Sequence, residues 1–446
     1  MRRLLNLLVA VAALGSATVC FADLTAVFDV SISRTSAPGL NLTKGGPEKT
    51  TKSQLTVRLG KDYLLFDDGE DAVLIDLHSR LVTNRTRKDA KYSESSLLAR
   101  IGFISAEFNN RLMQAGLLTK LGVKGDNPMD KVLTEHLFSL RAPGSAPLKA
   151  RVVGMTESWQ HGDKPLLASE TEGFQLTAEE TQIFLRFLRH RLGLHPDIIA
   201  ACAKRAIIPN RMEVYRYDMK VEHDSLRLVN AQRVPDSFDR KSFLANTTLK
   251  LEGITALSEK AQSLTAANFQ AACARLKSDT IAQRDADNTF EAFLLFMEYG
   301  LCSDQLQPAD LASMKDSIQQ NPDCLKLFSC LMPANKEAAE QAIKDLQTLE
   351  ARTKRGKRSL KVFRANNLGQ LGHSDEAKAL FIEVLTENPA HVGAWKDLGD
   401  LFYNDYEMAT AWRCWDTGRH LLPTHKNFQP VYELEKKLVA KYPEFL

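Results

Sequence analysis

Arg364 to His425 reads RANNLGQLGHSDEAKALFIEVLTENPAHVGAWKDLGDLFYNDYEMATAWRCWDTGRHLLPTH, and three kinds of position recur in it at one offset. Ala377 and Ala411, Phe381 and Trp415, and Pro389 and Pro423 each lie 34 residues apart (411 − 377, 415 − 381, 423 − 389). A fixed period of that length predicts an array of helical hairpins. The spacing predicts a first helix in each copy, Val362 to Leu371 and then Val392 to Tyr403. It predicts a second over Asp375 to Thr386 and then Tyr406 to Leu422. Small residues stack against large ones, and a proline closes each unit because it has no amide hydrogen and cannot continue a helix.

The second copy also carries Trp395, Leu398, Gly399 and Phe402. Trp395 to Pro423 therefore resembles the tetratricopeptide repeat family, whose pattern places Trp, Leu-Gly and Tyr in the first helix, Ala, an aromatic and Ala in the second, then Pro. Phe402 and Trp415 stand in as aromatics, and Gly418 takes the place of a small residue. The first copy departs further: Ala365 replaces the Gly, Leu368 the aromatic and Val384 the second Ala, and the Trp is missing. The two copies cover about a seventh of the chain. The resemblance implies a concave surface that docks a protein partner through the inward side chains of the first helices. Carried over position by position, these are Asn366 and Gln370, then Lys396, Asp400 and Tyr403. Read from the residues alone, the same five are solvated positions of surface helices, and both readings stand.

Around this stretch the chain has 446 residues, 44% of them hydrophobic and 25% charged, which predicts two to four globular domains. Arg2 and Arg3 precede Leu4 to Leu14, apolar except for Asn6, and small residues lead to Val19-Cys20-Phe21-Ala22. That order predicts a secretory signal over 1–22, cut after Ala22, and hence a periplasmic or secreted protein. An uncleaved anchor is the other reading, against which the apolar run falls short of the roughly 20 residues a span needs. Val19 in place of a small residue before Cys20 argues against lipidation. Without residues 1–22 the balance is 56 basic against 55 acidic, so nothing points to nucleic acid.

Six cysteines remain: Cys202, Cys273, Cys302, Cys324, Cys330 and Cys414. An oxidising compartment permits disulfides among them, and free buried thiols are equally open. Cys324 and Cys330, six apart on one expected helix, lie about 120° apart around its axis and cannot join each other if it is straight.

From Leu24 to Thr83 short alternating strands recur with turn signals, as at Gly60-Lys61-Asp62 and Asp68-Gly69, which predicts an antiparallel meander. Leu97, Ile101, Ile104, Phe108 and Leu112 predict a helix lying on it. Further strands are expected at Leu148 to Trp159 and Leu166 to Ser169, a capping box at Thr177 and Glu180, and a final hairpin turning near His223-Asp224. Residues 23–242 thus read as an α+β domain: a curved antiparallel sheet with helices on one face. In outline this is similar to the bacterial lipoprotein-carrier fold, though no residue motif carries the likeness. The outline implies a lipid or other apolar ligand under the sheet; a filled core is the alternative.

An all-α helical-repeat region is expected to follow. Residues 243–353 form a helical domain in which no 34-residue spacing is visible, with helices over Phe290 to Leu301, Pro308 to Gln320 and Pro322 to Leu331. The basic run from Arg352 to Lys361 reads as a solvated linker, residues 354–446 as the repeats, and Val431 to Tyr442 as their polar capping helix.

His-Glu-x-x-His, Gly-x-Ser-x-Gly, the phosphate-binding glycine loop and Cys-x-x-Cys are all absent from the sequence. Glu135-His136 and Glu222-His223 are adjacent pairs, expected to point to opposite sides of a strand. No metal, cofactor or catalytic residue is therefore expected. The sequence predicts an exported, non-enzymatic binding protein, with an envelope-polymer hydrolase or a pure assembly scaffold as rivals.

Overall fold

A computed structural model of the chain describes residues 22–36, 49–122, 130–218, 220–235, 238–306 and 308–446. The expected signal segment up to Phe21 lies outside the described residues. Two compact units emerge. Among the described residues, the first takes in those up to Leu97, Ile104–Leu249 and Tyr442–Leu446; the second takes in Leu98–Phe103 and Lys250–Lys441.

The first unit is a large antiparallel sheet. Its strands run β1 (Ala22–Ser36), β2 (Lys49–Leu59), β3 (Tyr63–Asp67), β4 (Asp71–Asp76), β5 (Leu81–Thr86) and β6 (Lys91–Ser96). They continue as β7 (Ala150–Val153), β8 (Thr156–His161) and β9 (Lys164–Glu170), and a separate two-stranded ribbon pairs β10 (Gly173–Gln175) with β11 (Ile207–Pro209). β12 (Arg211–Tyr217), β13 (Lys220–Pro235) and β14 (Thr248–Leu249) complete the set. The order β14-β6-β5-β4-β3-β2-β1-β13-β12-β9-β8-β7 is antiparallel throughout except for the short parallel β14–β6 pair. The meander from β1 to β6 thus forms one flank, and the long β1–β13 pairing joins it to the other.

Alternation sets the faces. Leu24, Ala26, Phe28 and Val30 of β1 are buried, as are Leu55, Val57 and Leu59 of β2. Onto this face comes the helix Ala178–Phe187, started by a capping box in which Thr177 Oγ1 accepts from the Glu180 amide and Glu180 accepts from the Thr177 amide. It places Phe187 against Phe28 and Phe66, with ring centroids 6.2 and 5.6 Å apart, and Phe184 stacks on Phe187 at 5.6 Å. The opposite face, at Tyr63, Leu65, Ala72 and Leu74, is covered by Phe238 and Phe243, the latter on the short helix Arg240–Leu244.

Two local expectations change. β13 runs through His223 and Asp224, opposite Tyr215 and Val214, and the chain turns instead at Asp218, whose amide donates to the Lys220 carbonyl at 3.1 Å. Asp224 is buried beside Arg216, and the His223 ring stacks on Tyr215 with centroids 4.2 Å apart, contacts that hold this polar pair in a strand. The single strand expected over Leu148 to Trp159 is the β7–β8 hairpin, turned at Gly154, whose φ of 59° favours glycine.

The second unit is helical: Ile254–Gln262, Ala266–Asp285, Thr289–Cys302, Pro308–Ala312, Lys315–Gln320, Pro322–Leu331, Lys336–Arg352, Lys357–Gln370, Ser374–Glu387, Val392–Asn404, Met408–Leu421 and Gln429–Lys441. From Pro322 to Leu421 each helix packs on the next in the chain. The helix Thr289–Cys302 lies in their core, with Phe293, Leu294 and Phe296 against Leu327, Leu346, Leu349 and Leu360. Helices begin at Pro322, Lys357 and Val392, 35 residues apart each time (357 − 322, 392 − 357). Cys330, Ala365 and Gly399 occupy one equivalent position, and Leu346, Phe381 and Trp415 another. This pair, Pro322–Leu331 and Lys336–Arg352, escapes the sequence reading because its offset is 35 and Cys and Leu fill its marker positions.

The basic run is not a plain solvated linker. Arg358 Nε donates to the fully buried Glu298 at 2.7 Å, and the amides of Lys354, Arg355 and Gly356 all donate to Glu291. The desolvated Glu298 carboxylate needs such a partner, and the half-buried Glu291 holds the backbone that leads to it. The six cysteines among the described residues are free thiols, five of them buried. Among the described residues no helix is long and apolar enough to cross a membrane.

Candidate functional site

The five positions singled out for docking lie on the helices Lys357–Gln370 and Val392–Asn404. What aims them is the packing beneath. Trp395 is fully buried and its indole donates to the Pro389 carbonyl at 2.9 Å. Gly399 sits so close to Trp415 that a β-carbon there would meet the indole at 2.4 Å. With Trp395, Leu398, Gly399 and Phe402 turned inward, Lys396, Asp400 and Tyr403 fall on the next stripe of the helix. Lys396 and Asp400 form an ion pair, and Asp400 also accepts from the Trp415 indole at 3.2 Å. Tyr403 packs its ring on Trp412 and Trp415, with centroids 5.9 and 5.4 Å away.

Asn366 reaches across from the neighbouring helix and donates to Asp397 Oδ2 at 3.3 Å. The stripes of two successive helices therefore meet. Asp397 is the member sequence reasoning missed: it lies between Lys396 and Leu398, off the family's contact pattern. Burial pushes its carboxyl up to about 6, against the pull of Lys396 and the Asn366 hydrogen bond. Gln370, at the end of its helix, is exposed. The face thus presents one exposed amide, one half-buried phenol and a buried acid whose carboxyl is raised to about 6.

The first unit holds the densest polar cluster, and its wiring is internal. Glu135 and His136 lie on a helix, Lys131–Phe138, rather than on a strand, and both are buried. His195 Nδ1 accepts from the Asp197 amide at 3.2 Å, capping the helix Pro196–Arg205, so its Nε2 donates to Glu135 Oε2 at 3.1 Å. The His195 amide donates to His136 Nδ1 at 3.0 Å, and His136 Nε2 donates to the Tyr215 carbonyl at 2.9 Å. Burial pushes His136 down to about 3, with the charges of His195 and Arg216 adding to it. Burial alone would raise Glu135, but its bonds from His195 and the Ala142 amide outweigh that and hold it below the usual range. Every imidazole nitrogen of the pair already has a partner inside the protein, which is the arrangement of a structural zipper between helices and sheet.

Two clefts open on this unit. One, about 310 Å³, has Arg58, Asp67 and Asp239 around Leu65, Phe238 and Phe243. The other, about 260 Å³, is bordered by Arg34, Arg216, Asp218, Lys220 and Glu222. Both are rimmed by charge. On the apolar side of the sheet, for which a lipid or a filled core were the two readings, Phe187 packs on Phe28 and Phe66. The acidic turn at Asp67, Asp68, Glu70 and Asp71 is a hairpin, with Asp67 accepting from Arg87 at 2.8 Å and from the Gly69 amide at 2.9 Å. No family model matches this chain, and no curated protein matches it.

Proposed function

We propose that this is an exported, non-enzymatic binding protein whose stacked helical pairs, of the tetratricopeptide kind, dock a protein partner on the face carrying Asn366, Gln370, Lys396, Asp400 and Tyr403. The observation that carries the reading is the Asn366–Asp397 hydrogen bond, 3.3 Å across two successive helices. It supports a continuous, preorganised surface, which lowers the entropy cost of binding. The large sheet unit then serves as the second contact, toward an envelope component with polar groups, since its open clefts are rimmed by Arg, Lys, Asp and Glu while its apolar face is packed.

The test uses Gln370→Arg combined with Tyr403→Ala, two changes at the rim of the face that spare the Lys396–Asp400 pair. The protein is cross-linked in its producing cell and purified. A defined partner, recovered with the unchanged chain and lost with the double variant at unchanged melting temperature, is the expected result. Equal recovery from both proteins removes the assignment of the face.

A further inference from the structure

Among the described residues β7 ends the large sheet, with β8 on one side and no strand on the other. It joins β8 through the two-residue turn Gly154-Met155, with Val153 opposite Thr156, Val152 opposite Glu157, Arg151 opposite Ser158 and Ala150 opposite Trp159. In such a hairpin the pair next to the turn exchanges both main-chain bonds, and the pairs then alternate. Arg151 and Val153 therefore bond toward β8, while Ala150 and Val152 turn their amides and carbonyls to the open edge. Nothing among the described residues bonds those four groups.

All four residues of β7 are exposed, Val152 at 60% and Val153 at 63%, and Met155 in the turn stands at 53%. What guards this edge is charge. Lys149, just before the strand, and Arg151 are exposed two residues apart, on one side of the chain by alternation. Neither head group pairs with an acid among the described residues. That guard is selective. Full-overlap antiparallel pairing of two copies centres on Arg151 and sets the two arginines directly opposite, which is unfavourable. A strand carrying acids meets attraction at the same place. The outward main-chain groups call for extended backbone, the cations for carboxylates, and the exposed Val152 for an aliphatic side chain between them.

We propose that β7 takes up an extended acidic segment of another protein, which adds as a further antiparallel strand with carboxylates over Lys149 and Arg151 and an aliphatic residue beside Val152. The main chain supplies the bonds and the two cations supply the choice of partner. This edge belongs to the first unit and does not depend on the helical face proposed above, so either stands if the other fails.

The probe is a capped synthetic peptide of alternating glutamate and valine, fluorescently labelled and titrated with the full chain at low salt. Saturable binding, slowed amide exchange at Ala150 and Val152, and weakening with added salt are expected. The counterpart of alternating lysine and valine binds on the order of tenfold more weakly. Lys149→Glu combined with Arg151→Glu reverses that order. Val152→Pro removes an outward amide, leaves the bonds to β8 in place, and abolishes binding at unchanged melting temperature. An unchanged order in the charge-reversed chain, full binding by Val152→Pro, or no binding of the glutamate peptide overturns the proposal. So does a chain that sediments as a dimer which Val152→Pro separates, because the edge is then taken by a second copy.

Discussion

The indole of Trp415 lies against Gly399 so closely that a methyl group on that glycine would sit 2.4 Å from it. This contact joins the helices Val392–Asn404 and Met408–Leu421, and the row Lys396, Asp400 and Tyr403 is aimed by it. Gly399→Ala forces the indole out of place and costs about 1–3 kcal/mol. Gly116→Ala, on the helix Leu97–Lys120 with nothing within 4 Å, is the control and stabilises by about 0.5–1 kcal/mol. Urea unfolding of the two variants measures both signs.

Arg358 is the partner of a carboxylate with no exposure at all. Arg358→Ala leaves Glu298 charged in the core and destabilises by about 3–5 kcal/mol, whereas Arg358→Met combined with Glu298→Leu recovers most of the loss. The double variant matching the single one in a denaturant titration would show that the pair is not what matters there.

Acid should weaken the fold before its carboxylates titrate. Burial lowers His136 to about 3 and also lowers His391 and His425, so the unfolded chain takes these protons first. Their contribution is intact above about 6.5 and declines as pH falls, for His136 at about 1.4 kcal/mol per pH unit down to about 3. Asp397 works the other way: raised to about 6, it adds stability that is present below about 3.8 and is lost as pH rises through 6. Net loss between pH 6.5 and 5 is therefore expected. His136→Gln removes about 1.4 kcal/mol per pH unit from that slope, read from unfolding midpoints at each pH.

The fold class and the main strands were legible because alternation and turn residues are local: Leu55, Val57 and Leu59 are buried in a strand as their spacing requires, and Thr177 with Glu180 caps its helix. The helix expected over Pro322 to Leu331 likewise has those bounds, capped by Asn321. What stayed hidden depends on partners far away in sequence. His223 and Asp224 look like a turn, and only Tyr215, Glu213 and Arg216 across the ladder make them a strand. Arg358 looks solvated until Glu298, 60 residues earlier, is seen beneath it. On the face proposed for docking the repeat pattern marked Lys396 and Asp400 but passed over Asp397, which Asn366 on another helix bonds.

The most direct measurement places a photoreactive side chain at Gln370, on the face proposed for docking, and separately at Glu376, exposed on the following helix Ser374–Glu387. Irradiation of the producing cell is predicted to give a single cross-linked species of defined mass from position 370, absent in the Tyr403→Ala background, and none from position 376. Equal cross-linking from both positions, or the same species in the Tyr403→Ala background, would contradict a partner seated on this face.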